Sequence, residues 1–292
     1  DENAVLAARR ELGRIKAWRG GSPGAAEASE YLTEAQEQSA NKYALRTQPM
    51  KQIKPFVDDR QSTWCIHCAN ALADVDVTRD HVPTKSLLDK PYPENVPVIP
   101  VCRKCNESFS GDELYFTMFL EAVLSGSTVP ETQRTNAASD RFARYDRMRE
   151  RIECGRHEYR ETAGETQVVW EPEMASVYTV IEKNARGHVF YEYGEPAFGE
   201  ARGTGAVPLV SLSEKKRLAF LRGPTPGGLA GWPEIGSRMT ERLIVGTDMD
   251  AWGWIVVQEG RYRYRVEEFD DGFRVASIIA EYLATETVID TL

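Results

Sequence analysis

Two Cys-x-x-Cys pairs, Cys65/Cys68 and Cys102/Cys105, flank the dipeptide Asp80-His81. Thiolates three positions apart on one turn can face a single ion, and two such turns fill the four positions of tetrahedral Zn²⁺. With every position taken by protein, no site is left for a reactive water, so the ion reads as structural. The remaining cysteine, Cys154, reads as a small buried or inert residue, because no base or acid stands near it in a triad pattern. Disulfides fit the pairs less well. Ala4 to Ala8 is a short apolar run cut off by Arg9, Arg10 and Glu11, which does not make a secretory h-region. The default expectation is a cytoplasmic protein.

Taken alone, the cysteines describe a zinc-ribbon-like module that binds nucleic acid or a protein partner without catalysis. Asp80-His81 adds chemistry to that description. A carboxylate beside an imidazole, with the carboxamide of Asn106 just after the last cysteine, can supply one divalent-metal site and one general base. Imidazole suits the second task because its ordinary pKa lies near working pH. Pro83 disfavours helix around His81 and keeps the segment extended.

The ordered elements are Cys65-Ile66-His67-Cys68, Arg79-Asp80-His81-Val82-Pro83, Asn95, and Cys102-Arg103-Lys104-Cys105-Asn106. In this order they resemble the HNH endonucleases in their zinc-containing form. The resemblance covers about 60 of the 292 residues. It implies a ββα-metal fold and hydrolysis of DNA phosphodiester bonds. It also implies His81 as general base, Asp80 and Asn106 as ligands of a catalytic Mg²⁺ or Mn²⁺, and Asn95 as the residue that steadies the hairpin. Standalone proteins of this kind point to a restriction or phage-defence setting, with a partner protein as one target of the second half. Two departures stand out. Asn106 is a weaker ligand than the histidine frequent there, and Phe109, Ser110 and Gly111 occupy the next turn, where relatives carry Lys or another ligand. Asp112 or Glu113 could compensate. His67 reads as a spacer on the knuckle surface, and His157 and His188 as satisfied or solvated side chains.

The elements that must position these groups follow from periodicity and breakers. Residues 2–18 and 25–45 read as helices separated by Gly20-Gly21-Ser22-Pro23-Gly24. An apolar helix around Leu114–Leu124 ends at Ser125-Gly126-Ser127. A helix over 139–153 follows, with Phe142, Tyr145, Met148 and Ile152 on one stripe. Between Thr132 and Arg160 there are eight arginines and five acidic residues, a local surplus in a chain of net charge −9. Arg141, Arg144 and Arg151 are therefore the candidate nucleic-acid contacts. Beyond about 167, Val168–Trp170, Val177–Ile181 and Val189–Tyr193 read as short strands. Residues 203–236 read as a long loop with one short helix, and Trp252–Gln258 with Arg261–Glu267 as a hairpin, followed by a run from Phe273 to Ile279. No apolar run reaches the roughly 18–20 residues needed to span a bilayer.

The expected fold class is α+β: a zinc-stabilised ββα-metal unit with N-terminal helices and a mixed, sheet-containing C-terminal domain. The expected divisions are 1–59, 60–125, 126–160 as an Arg-rich connector, and 161–292.

Overall fold

A computed structural model describes residues 63–291, apart from 95, 161–165, 224–232, 234–236, 246–248, 251 and 270. The two expected N-terminal helices and Asn95 lie outside the described residues. The fold is α+β, with six α-helices and a five-stranded antiparallel sheet among those residues.

The cysteine region begins with a knuckle closed by the Trp64–Ala71 bridge. Strand β1 (Val77–His81) then pairs antiparallel with β2 (Val98–Cys102), Val77 opposite Cys102 and His81 opposite Val98. Helix α1 (Arg103–Ser125) starts directly from β2. Cys102 is its N-cap, the thiol accepting from the Cys105 N–H. Arg103 latches the same corner, its N–H donating to the Asp76 carbonyl and its Nε to the Asp76 carboxylate. The helix ends on Gly126, whose φ of 75° makes the left-handed cap that the Ser-Gly-Ser breaker predicts. Tyr115 to Ala122 are all buried, so this stretch packs on every side and shows little amphipathic period.

Residues 139–153 do not form one helix. α2 (Asn136–Arg144) and α3 (Asp146–Glu153) meet at Tyr145, whose φ and ψ of −111° and 67° break the helix. Phe142 and Ile152 reach the core and Met148 packs against it, but Tyr145 at the break is exposed, so the stripe holds only in part. A ribbon of β3 (Arg156–Arg160) and β4 (Thr166–Trp170) follows.

The largest departure comes next. Val177–Ile181 and Val189–Tyr193 are not strands; both belong to α4 (Met174–Tyr193). Fourteen of its twenty residues are buried, so the helix carries β-branched and aromatic residues around most of its circumference, and local composition mimics a pair of buried strands. The expected loop over 203–236 begins instead as strand β5 (Ala201–Pro208), its one expected short helix is α5 (Glu214–Arg222), and 224–232 and 234–236 lie outside the described residues; α6 (Arg238–Val245) lies beyond it. The hairpin β6 (Ile255–Gln258)–β7 (Tyr262–Phe269) and the run after it, β8 (Gly272–Ile279), are where they were expected, with β9 (Leu283–Asp290) after them. The sheet order is β5-β9-β8-β7-β6, antiparallel throughout.

A single cluster of buried side chains runs from Leu87, Phe116 and Met118 through Val180, Val189 and Tyr193 to Val275 and Ile289. It joins α1 to α4 and to the sheet across position 160. A second, smaller cluster holds Cys65, Ile66, Leu72, Val82, Ile99, Val101, Cys102 and Phe190. Among the described residues, no helix is long and apolar enough to cross a membrane.

Candidate metal centre and its neighbours

The four paired cysteines converge. Their Sγ atoms all lie within 4.8 Å of one another, drawn from the knuckle, the end of β2 and the first turn of α1. Cys68 Sγ and Cys102 Sγ are 3.8 Å apart. A tetrahedron with metal–sulfur bonds of about 2.3 Å has edges of about 3.8 Å, which the Cys68–Cys102 separation matches, and the set could hold an ion such as zinc. Backbone N–H groups of Cys102 and Cys105 point at the sulfurs of Cys65 and Cys102, both at 3.4 Å, and would steady thiolate charge. All five cysteines are free thiols. Cys154 is exposed at the end of α3 rather than buried, because the helix turns its stripe of Ile152 and Met148 inward and leaves position 154 outside.

Asp80 and His81 sit at the end of β1, where alternation sends them to opposite faces. Asp80 faces inward and is buried; His81 is half-buried. Burial lowers the pKa of His81, Lys85 lowers it further, and Asp80 only partly opposes them. The two larger influences favour the neutral imidazole, the form a base needs.

Asp80 is engaged by groups that the sequence does not put near it. Its Oδ1 accepts from the ammonium of Lys183 at 2.8 Å, and Lys183 comes from α4. The same ammonium donates to Glu113 Oε1 at 2.5 Å and to Thr84 Oγ1 at 3.2 Å. Thr84 donates on to Glu113 and takes a place beside Asn184. Glu113 thus serves Lys183 and Thr84. On its other side, Asp80 Oδ2 lies 3.9 Å from His67 Nε2, an ion-pair distance too long for a hydrogen bond. Burial pushes the Asp80 carboxyl up, but His67 and Lys183 more than offset this and hold it below the usual range. Burial lowers the pKa of His67, with Asp80 opposing. His67 is no surface spacer: its side chain is 4% exposed, and its ring meets the edge of Phe109 at 4.8 Å between centroids.

Asn106 lies in the first turn of α1, and its Nδ2 donates to Thr78 Oγ1 at 3.1 Å. Thr78 and Asp80 share one face of β1. Among the described residues, the four cysteines are the one group of three or more His, Cys, Asp or Glu side chains close enough to hold an ion together.

The other candidates are placed as follows. Arg151 makes a paired contact with Glu173 and lies over the Tyr115 ring, while Arg141 and Arg144 occupy the last turn of α2. His157 lies 3.3 Å from Glu171 in an exposed pair. His188 is fully buried, bonded to Tyr262 at 3.0 Å and stacked on Tyr264. Lys183 carried no readable signal, since a lysine in a helix is normally solvated and its partner is 103 positions away.

Compared with protein-family models, curated proteins and solved structures, the chain gives no significant match.

Proposed function

We propose that the β1–β2–α1 unit is the catalytic centre of a metal-dependent endonuclease of the HNH type, which hydrolyses DNA phosphodiester bonds. One observation carries the reading. A half-buried imidazole ends a strand whose partner leads straight into a helix, and four cysteines gather that helix start against the knuckle before the strand. In this reading zinc fills the cysteine cluster and is structural.

His81 takes a proton from the attacking water as the water's oxygen bonds to phosphorus and the 3′-oxygen leaves. Asp80 and Asn106 would hold the catalytic divalent ion, Mg²⁺ or Mn²⁺, which when bound supplies positive charge to the phosphoryl oxygens. Lys183 fixes Asp80 Oδ1 and leaves Oδ2 without a hydrogen bond. Arg141 and Arg144 would add phosphate contacts. Arg151 is committed to Glu173 and contributes less. The sheet-bearing half would direct the nuclease to its DNA or to a partner protein, in keeping with a restriction or phage-defence role.

A second reading is a zinc module that binds nucleic acid or protein without cutting. It is favoured by the Lys183 ammonium, which already neutralises Asp80. Supercoiled plasmid incubated with Mg²⁺, Mn²⁺ or Ni²⁺ separates the two. The nuclease reading expects nicked and linear products from the parent, and a loss of about 10²–10⁴ in rate for His81→Ala with zinc content unchanged. Equal rates for parent and His81→Ala, or no cleavage with any of the three ions, support the binding module.

A further inference from the structure

Asp80 presents two unlike oxygens. Oδ1 is taken by Lys183, whose three N–H donors are all spent on Asp80, Glu113 and Thr84. Oδ2 is buried with no hydrogen bond. Facing it at 3.9 Å is His67 Nε2, which is also buried with no hydrogen bond. The two side chains are 8% and 4% exposed. Buried polar atoms are seldom left this way, and two such atoms that face each other call for something between them.

The gap has a chemical meaning. A nitrogen and an oxygen each about 2.0–2.2 Å from one divalent ion stand up to about 4.2 Å apart, which accommodates the observed separation. Asp80 and Glu113 bring two carboxylates against the ammonium of Lys183, with the Arg186 guanidinium also felt at His67. They also hold the carboxylate still, as groups behind a ligating carboxylate do. Phe109 fixes the imidazole plane from the other side.

We propose that His67 Nε2 and Asp80 Oδ2 are two ligands of a divalent-cation site separate from the four-cysteine cluster. The inference deepens the nuclease reading, adding His67 to the Asp80 and Asn106 of that reading, and rests on it only for the ion's task. An imidazole–carboxylate pair selects Mn²⁺, Co²⁺ or Ni²⁺ over Ca²⁺ and Mg²⁺. His67 therefore moves from the zinc knuckle's outline into a second metal's ligand set.

Mn²⁺ is the probe, because it does not displace zinc from thiolates. The zinc-loaded full chain is titrated and free Mn²⁺ followed by electron paramagnetic resonance. One Mn²⁺ per chain is expected, with affinity lowered at least about tenfold in His67→Gln and in Asp80→Asn, and zinc content unchanged. His81→Ala should bind as the parent does. Spin-echo modulation by a ¹⁴N nucleus on the bound Mn²⁺ of the parent reads the imidazole directly, so the test survives a variant that fails to fold. No Mn²⁺ bound by the zinc-loaded parent, no ¹⁴N modulation, or undiminished binding by His67→Gln overturns the site. Mn²⁺ bound through His67 without plasmid cleavage keeps the site and removes the nuclease reading. Cleavage indifferent to His67→Gln does the reverse.

Discussion

At His81 the chain holds an imidazole between opposing influences. Burial and Lys85 disfavour its charged form, and Asp80 next door favours it. The net lowering has a kinetic sign. On the proposed reading His81 is a general base and works when unprotonated, so the rate should fall on the acid side as pH drops through its pKa. That midpoint should lie below 6.5, the ordinary histidine value, in a profile of kcat/KM for plasmid cleavage. Replacing Lys85 with Glu exchanges a repelling charge for an attracting one and should move the midpoint up. An acid limb centred above 6.5 in the parent would speak against His81 as the titrating group. The cysteine cluster and the strand end that carries Asp80-His81 were legible because each is local. Cys-x-x-Cys is one turn, Asp80-His81 is one strand end, and each can be read from neighbours a few positions away. Lys183, Glu113 and His67 were not legible as a group, because only the packing of α4 on the β1–α1 unit brings them to Asp80.

That packing makes α4 the decisive element. Its misreading as two strands has a plain cause: a helix buried over most of its surface keeps only a narrow half-buried edge at Tyr178, Thr179, Glu182 and Arg186, and Val and Tyr then dominate any local count. Gly187 in the middle of it looks like a flaw but is a requirement of contact. A Cβ there would stand 2.6 Å from Val82 Cγ2 and 3.0 Å from Cγ1, and Val82 directly follows His81. Gly→Ala in an open helix gains roughly 1 kcal/mol. Here the clash should reverse the sign, for a net loss of about 1–3 kcal/mol in denaturant unfolding. Val82→Ala vacates the same space at its own cost of lost burial. The double variant should therefore be more stable than the sum of the single effects predicts. Strict additivity would mean that α4 and the end of β1 adjust independently.

At the scale of the molecule, the described residues form one large core, a small one around the cysteines, and a third where α5 and Trp254 pack on the sheet. The cluster around the cysteines has few large side chains, and two of its members, Cys65 and Cys102, are themselves candidate ligands. The larger cluster spans α1, α4 and the sheet and contains none of the four. An ion that closes the knuckle onto α1 would add its binding free energy to the small core, which has little else to oppose chain entropy. The large core has its own burial, and β7, β8 and β9 pair along nearly their full lengths. The two cores meet mainly through α1, whose first turns belong to the metal cluster and whose Tyr115–Ala122 segment belongs to the other. Stripping the ion with a chelator should therefore unfold the protein locally. Measured by amide hydrogen exchange, protection should vanish in Val77–His81, Val98–Cys102 and the first turns of α1. It should persist in Tyr115–Ala122 and in β7 to β9. Phe190 is the point to watch, because it is the sole member of the small cluster contributed by α4. If α4 and the sheet lose protection together with β1, the contacts made by Phe190 and Lys183 bind the two cores into one cooperative unit, and the division does not hold.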